Sequence, residues 1–94
     1  MLVRVVKMQF DINFIDEFRI LFTDVKPKIS NFEGCLSVQL LQHENELSTW
    51  FTISKWRSAD DLENYRKSDL FIKTWAKVKP NFAAKAEAWS LLEQ

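Results

Sequence analysis

Glycine and cysteine are nearly absent from this 94-residue chain: each occurs once, as Gly34 and Cys35, beside two prolines, one histidine and one tyrosine. A single cysteine excludes an internal disulfide. One His and one Cys fall short of the two or more ligands that metal catalysis usually needs, so no metal is expected. The lone glycine precedes a strand-like run rather than a helix, which leaves no phosphate-cradling turn, so no dinucleotide or flavin cofactor is expected. Charge of one sign is also lacking, since thirteen basic residues balance thirteen acidic ones. Nucleic acid and anionic membranes attract a basic excess, so neither is an expected partner. No apolar run approaches the roughly 20 residues that span a bilayer. The first residues show no signal-peptide pattern, and a cytoplasmic location is expected. His43 has no suitably spaced partners for a Ser-His-Asp triad and reads as a solvated turn residue.

What the chain does have is rings. Eight Phe, four Trp and one Tyr make it 14% aromatic, and hydrophobic residues reach 47%. The length implies one domain over residues 1–94. Rings in such number either fill a core and an interface or line a pocket for a flat ligand.

Leu2 to Phe10 is rich in β-branched residues and reads as a strand, with Leu2, Val6, Met8 and Phe10 on one face and Arg4 as the exception there. Val3, Val5, Lys7 and Gln9 share the other face. Asp11 or Asn13 can cap a helix, whose stripe is Phe14, Phe18, Leu21, Phe22, Val25 and Ile29. Pro27 predicts a kink or a looser last turn near Lys26, and Gly34 a turn by positive φ. Cys35 to Leu41 and Thr49 to Trp56 predict an antiparallel hairpin around the polar turn His43-Glu44-Asn45-Glu46. Ser58 with Asp61 resembles a capping box, opening a short helix with Leu62 and Tyr65. Ser68 restarts a helix carrying Phe71, Trp75 and Val78 on one face, which ends near Pro80. Lys85 to Leu92 predicts a fourth strand. This βαββαβ order is that of a ferredoxin-like α+β fold, a four-stranded antiparallel sheet with helices on one face.

Both faces of the predicted strands are apolar. Phe51 and Ile53 point one way, Trp50 and Trp56 the other, and Trp89 and Leu91 oppose Ala86, Ala88 and Leu92. Helices cover only one face, so the other would be a patch prone to aggregation unless two copies pack face to face. A homodimer is expected, with Trp50 or Trp56 as its interface aromatic.

The tract Phe32-Glu33-Gly34-Cys35 and the run from Trp56 to Phe71, with its Trp-x-Ser opening and second Ser-x-x-Phe helix start, resemble the antibiotic biosynthesis monooxygenase family. The resemblance covers essentially the whole chain and implies a dimeric α+β barrel. It also implies metal-free and flavin-free oxygenation of a small aromatic, phenolic or quinol-type metabolite, with no cofactor. The family's haem-degrading branch uses an Asn on the first strand, a Trp in the first short helix and an axial His one helix later. Here those positions fall on Met8, Tyr65 and Trp75, and indole cannot ligate iron. Haem degradation is therefore not expected. The candidate substrate-binding residues are Met8, Tyr65, Phe71 and Trp75, with Tyr65 positioning a substrate oxygen and Trp75 stacking or donating its indole N–H. Core packing competes with this role, since Phe71 and Trp75 are one helical turn apart. The alternatives are a non-catalytic dimeric module that binds a small apolar ligand, and an isomerase or degrading enzyme on the same barrel.

Overall fold

β-Branched and apolar residues at alternating positions make Leu2–Gln9 a strand, β1, which takes a central place in the sheet. The computed structural model describes all 94 residues. After β1 a 3-10 turn, Ile12–Phe14, leads into α1, Ile15–Ser30. β2 (Cys35–Gln42) and β3 (Thr49–Trp56) form the hairpin. α2 (Ala59–Arg66) and α3 (Asp69–Val78) follow, then a 3-10 turn at Lys79–Asn81 and β4, Glu87–Leu92. The sheet order is β2-β3-β1-β4 with every neighbouring pair antiparallel, the ferredoxin-like arrangement. No helix is long and apolar enough to cross a membrane.

Caps fix the element boundaries. Asp11 accepts the Asn13 amide at 2.9 Å, Ser58 accepts that of Asp61 at 3.1 Å, and Ser68 accepts that of Phe71 at 3.2 Å. Phe14, Phe18, Phe22, Val25 and Ile29 then pack beneath the sheet with Met8, Phe10, Val38, Trp50 and Val78. The helix continues through Pro27 to Ser30. Thr23 and Pro27 lie on the exposed side, so the carbonyl that proline leaves unbonded faces water rather than core.

β3 requires a correction. Trp56 and Trp50 are 0% and 5% exposed and pair with Leu2 and Met8 on the helix-covered side. Neither lies on the face that the helices leave open. The open face instead carries Val3, Val5, Phe51, Ile53, Leu41, Trp89 and Leu91, aligned by the pairs Val5↔Ile53, Val5↔Trp89, Val3↔Leu91 and Leu41↔Phe51. Alternation separates the two sets, and only helix packing decides which set is inside.

Gly34 has a φ of 85° and its carbonyl accepts the Arg57 amide at 2.8 Å. A Cβ there would overlap the Asp61 side chain. That carboxylate takes Arg57 Nε and Nη2 at 2.9 and 3.2 Å and the Ser58 hydroxyl at 2.9 Å. Arg57 first, then Ser58, holds the Asp61 carboxyl below its usual range. Such a depressed group stabilises the fold above its unfolded pKa and loses that contribution as pH falls through the folded value. Gly34→Ala is expected to cost at least about 1–2 kcal/mol from the left-handed backbone alone. Displacing Asp61 should also remove its share of the pH dependence, so that the deficit is largest near neutrality and shrinks as pH falls through the Asp61 value. Urea unfolding across a pH series checks both, and an unchanged acid limb would show that Asp61 keeps its partners.

Candidate functional site

The helix-facing residues of β3 read Trp50, Thr52, Ser54, Trp56: large at the ends, small in the middle. On the far side of β1, Ala88 lies opposite Val6. Small side chains at the sheet centre leave a hollow that the helices roof without filling. The result is a cavity of about 280 Å³, lined mainly by apolar side chains. Its volume suits a one- or two-ring molecule.

Met8, Tyr65, Phe71 and Trp75 all line this cavity. Met8 comes from β1, Tyr65 from α2, and Phe71 and Trp75 from one face of α3. The rings form a continuous wall. Trp56 stacks on Tyr65 at 5.0 Å, Tyr65 meets Phe71 edge-on at 5.3 Å, and Phe71 stacks on Trp75 at 5.7 Å. Trp75 then meets Phe82 edge-on at 5.5 Å. Trp75 and Phe71 are only partly buried, so they border the hollow instead of plugging it.

Burial, reinforced by Cys35, pushes the Tyr65 phenol well above its ordinary value. It therefore stays protonated near neutrality and can donate a hydrogen bond, but it is a poor base. The lining contains no Asp, Glu, His or Lys. Its only charged members are Arg4 and Arg66, with Thr52, Ser54 and Thr74 adding hydroxyls. Arg4 Nη1 donates to Ser90 Oγ at 2.9 Å. His43 lies in the β2–β3 turn, where its Nδ1 accepts the amides of Asn45 and Glu46 at 3.1 and 3.0 Å. No group of three His, Cys, Asp or Glu side chains is placed to hold a metal ion. With no His or Cys in the lining and a phenol held protonated, the cavity offers iron only the weak Met8 thioether, and the donor set does not fit histidine ligation of haem.

Sequence reasoning missed Arg4, Arg66 and the three hydroxyl residues. Arg4 was visible as the one charge interrupting the apolar face of β1. The small-residue gap between Trp50 and Trp56 was the signal for the hollow.

A family model described as antibiotic biosynthesis monooxygenase matches residues 1–77. A solved structure called antibiotic biosynthesis monooxygenase superposes with a TM-score of 0.94 at 14% identity, covering 100% of this chain and 99% of that one. A Mycobacterium tuberculosis protein gives 0.90 at 15% identity, covering 99% and 94%. A conserved protein from Methanosarcina mazei gives 0.92 at 19% identity, covering 100% and 94%. A search of the curated proteins finds no match.

Proposed function

The chain belongs to the antibiotic biosynthesis monooxygenase family, and from that premise we propose that it oxygenates a small phenol- or quinol-type aromatic with dioxygen, without metal or organic cofactor. The observation that carries this reading is the cavity itself, a ring-sized hollow walled by Tyr65, Phe71 and Trp75. The chemistry needs no external reductant. A phenol and one dioxygen give a quinone and one water: one oxygen atom enters the ring, and the other leaves with two hydrogens of the substrate. The protein has to exclude water, orient the ring and favour the ionised substrate that donates the first electron. Trp75 and Phe71 provide the stacking surface, and the protonated Tyr65 hydroxyl orients a substrate oxygen.

The working unit in this proposal is a homodimer formed through the open sheet face. Two exposed residues there, Trp89 and Leu91 at 43% and 50%, support that reading.

Trp75→Phe keeps an apolar ring and loses the indole N–H. We expect about a tenfold fall in affinity or turnover, the loss of roughly one hydrogen bond's worth of binding, with stability nearly unchanged. If Trp75 only filled core, the loss would instead appear as about 1–3 kcal/mol of stability. Tyr65→Phe is the companion variant. Oxygen consumption with a panel of hydroquinones and polyphenols, beside thermal melting, is the measurement. Normal activity with lowered melting temperatures in both variants would make these residues structural. The absence of any base in the lining keeps one rival, a non-catalytic binding module. Ligand binding without oxygen uptake across the panel would favour it.

A further inference from the structure

Arg4 and Arg66 belong to no structural ion-pair network that explains why both line one apolar cavity. Arg4 projects from the middle of β1 onto the helix-covered face, where its neighbours Leu2 and Met8 are buried. It is partly buried, makes no ion pair, and uses one N–H on Ser90. A guanidinium carries five N–H donors, so most of its fork is free. Arg66, at the end of α2, lines the same cavity and is bonded to Glu63 at 3.3 Å. Burial first, then the Arg66 charge, disfavours the charged form of Arg4, and Glu63 opposes this weakly. Two cations thus face one carboxylate, in a cavity with no other charged side chain. A partly desolvated guanidinium without a carboxylate is an unfavourable arrangement that an anionic ligand would relieve.

We propose that the cavity selects an aromatic anion: the ring lies on the Phe71–Trp75 wall and an ionised oxygen, carboxylate or phenolate, is held by Arg4 with Arg66. This rests on reading the cavity as the ligand site. It also accounts for the missing base. An acidic phenol beside Arg4 ionises more readily, and its proton passes to solvent instead of to a side chain. Arg4 is the main contact, because Glu63 already partly neutralises Arg66.

The test is calorimetric titration of the intact protein with 2-naphthoate and with its neutral relative 2-naphthalenemethanol. Naphthoate should bind at least about tenfold more tightly, the effect of one opposite charge at close range. Added salt should weaken naphthoate and leave the alcohol unchanged. Arg4→Gln should remove most of the preference and Arg66→Gln a smaller part. Arg4→Lys, which keeps the charge, should retain some of it and stands in if the glutamine variant does not fold. A second probe, 4-nitrophenol, reports its own ionisation by colour. A fall of about one pH unit in its midpoint on binding assigns the site to phenolates. Anion-selective naphthoate binding without that shift assigns it to carboxylates. Equal affinity for naphthoate and the alcohol overturns the anion selection while leaving the cavity as a ligand site. Binding of neither compound overturns both readings.

Discussion

Replacing Trp56 by alanine is expected to lower stability by about 3–5 kcal/mol, the range for a large buried aromatic truncated in a core. The residue is 0% exposed. Its ring packs with Leu2 and Leu62 and stacks on Tyr65 at 5.0 Å, joining the sheet to α2. Its indole N–H donates to Ser54 Oγ at 2.9 Å inside the protein. Alanine would open a cavity and leave the Ser54 hydroxyl without its partner, and both effects destabilise. Small domains have about 5–15 kcal/mol in total, so a large share of the fold's margin rests on this ring. Trp56→Phe should cost less, since it keeps most of the apolar area. Equilibrium urea unfolding measures both. A loss under about 1 kcal/mol for the alanine variant would contradict the burial of this residue. Tyr65 would also lose its stacking partner, so the aromatic wall should loosen before the domain unfolds.

Phe51→Asp should have an equally large effect of a different kind. Phe51 lies on the open face, opposite Lys7 on β1 and Leu41 on β2. In the proposed dimer an aspartate there would be taken out of water, and even with Lys7 across from it the desolvation would cost several kcal/mol. Each 1.4 kcal/mol is tenfold in affinity, so dimer dissociation should rise by about a hundredfold or more. Light scattering at micromolar concentration should give about twice the chain mass of 11.2 kDa for the native protein and the single mass for the variant. The variant should still fold as a monomer, because the substitution does not enter the core of Phe10, Phe18 and Trp56. A native protein that runs as a monomer would remove the dimer from the proposed function.

The order of elements was legible because each carried a local signal. Alternation defined the strands, and the Phe14-to-Ile29 stripe defined α1. Ser58 and Ser68 marked the starts of α2 and α3. The placement of Met8, Tyr65, Phe71 and Trp75 beside one another could also be anticipated, because three of them lie on two short helices above β1. The dissenting residue, Arg4, was legible only as an anomaly. A charge breaking an apolar alternation reads as noise until Arg66, from the far half of the chain, is seen beside it.

By itself the sequence determined the local periods and caps, and hence the βαββαβ order and a sheet with two apolar faces. Those properties depend on residues within a few positions of one another. Only the tertiary structure decided which face is core. Alternation in β3 separates Trp50 and Trp56 from Phe51 and Ile53, but both sets are apolar, and parity has no sign until α1 packs on one side. Tertiary packing also decided that Trp75 borders a hollow and that Thr52, Ser54 and Ala88 leave it unfilled. The volume between a sheet and its helices depends on side chains from seven elements at once, and no local pattern encodes that sum.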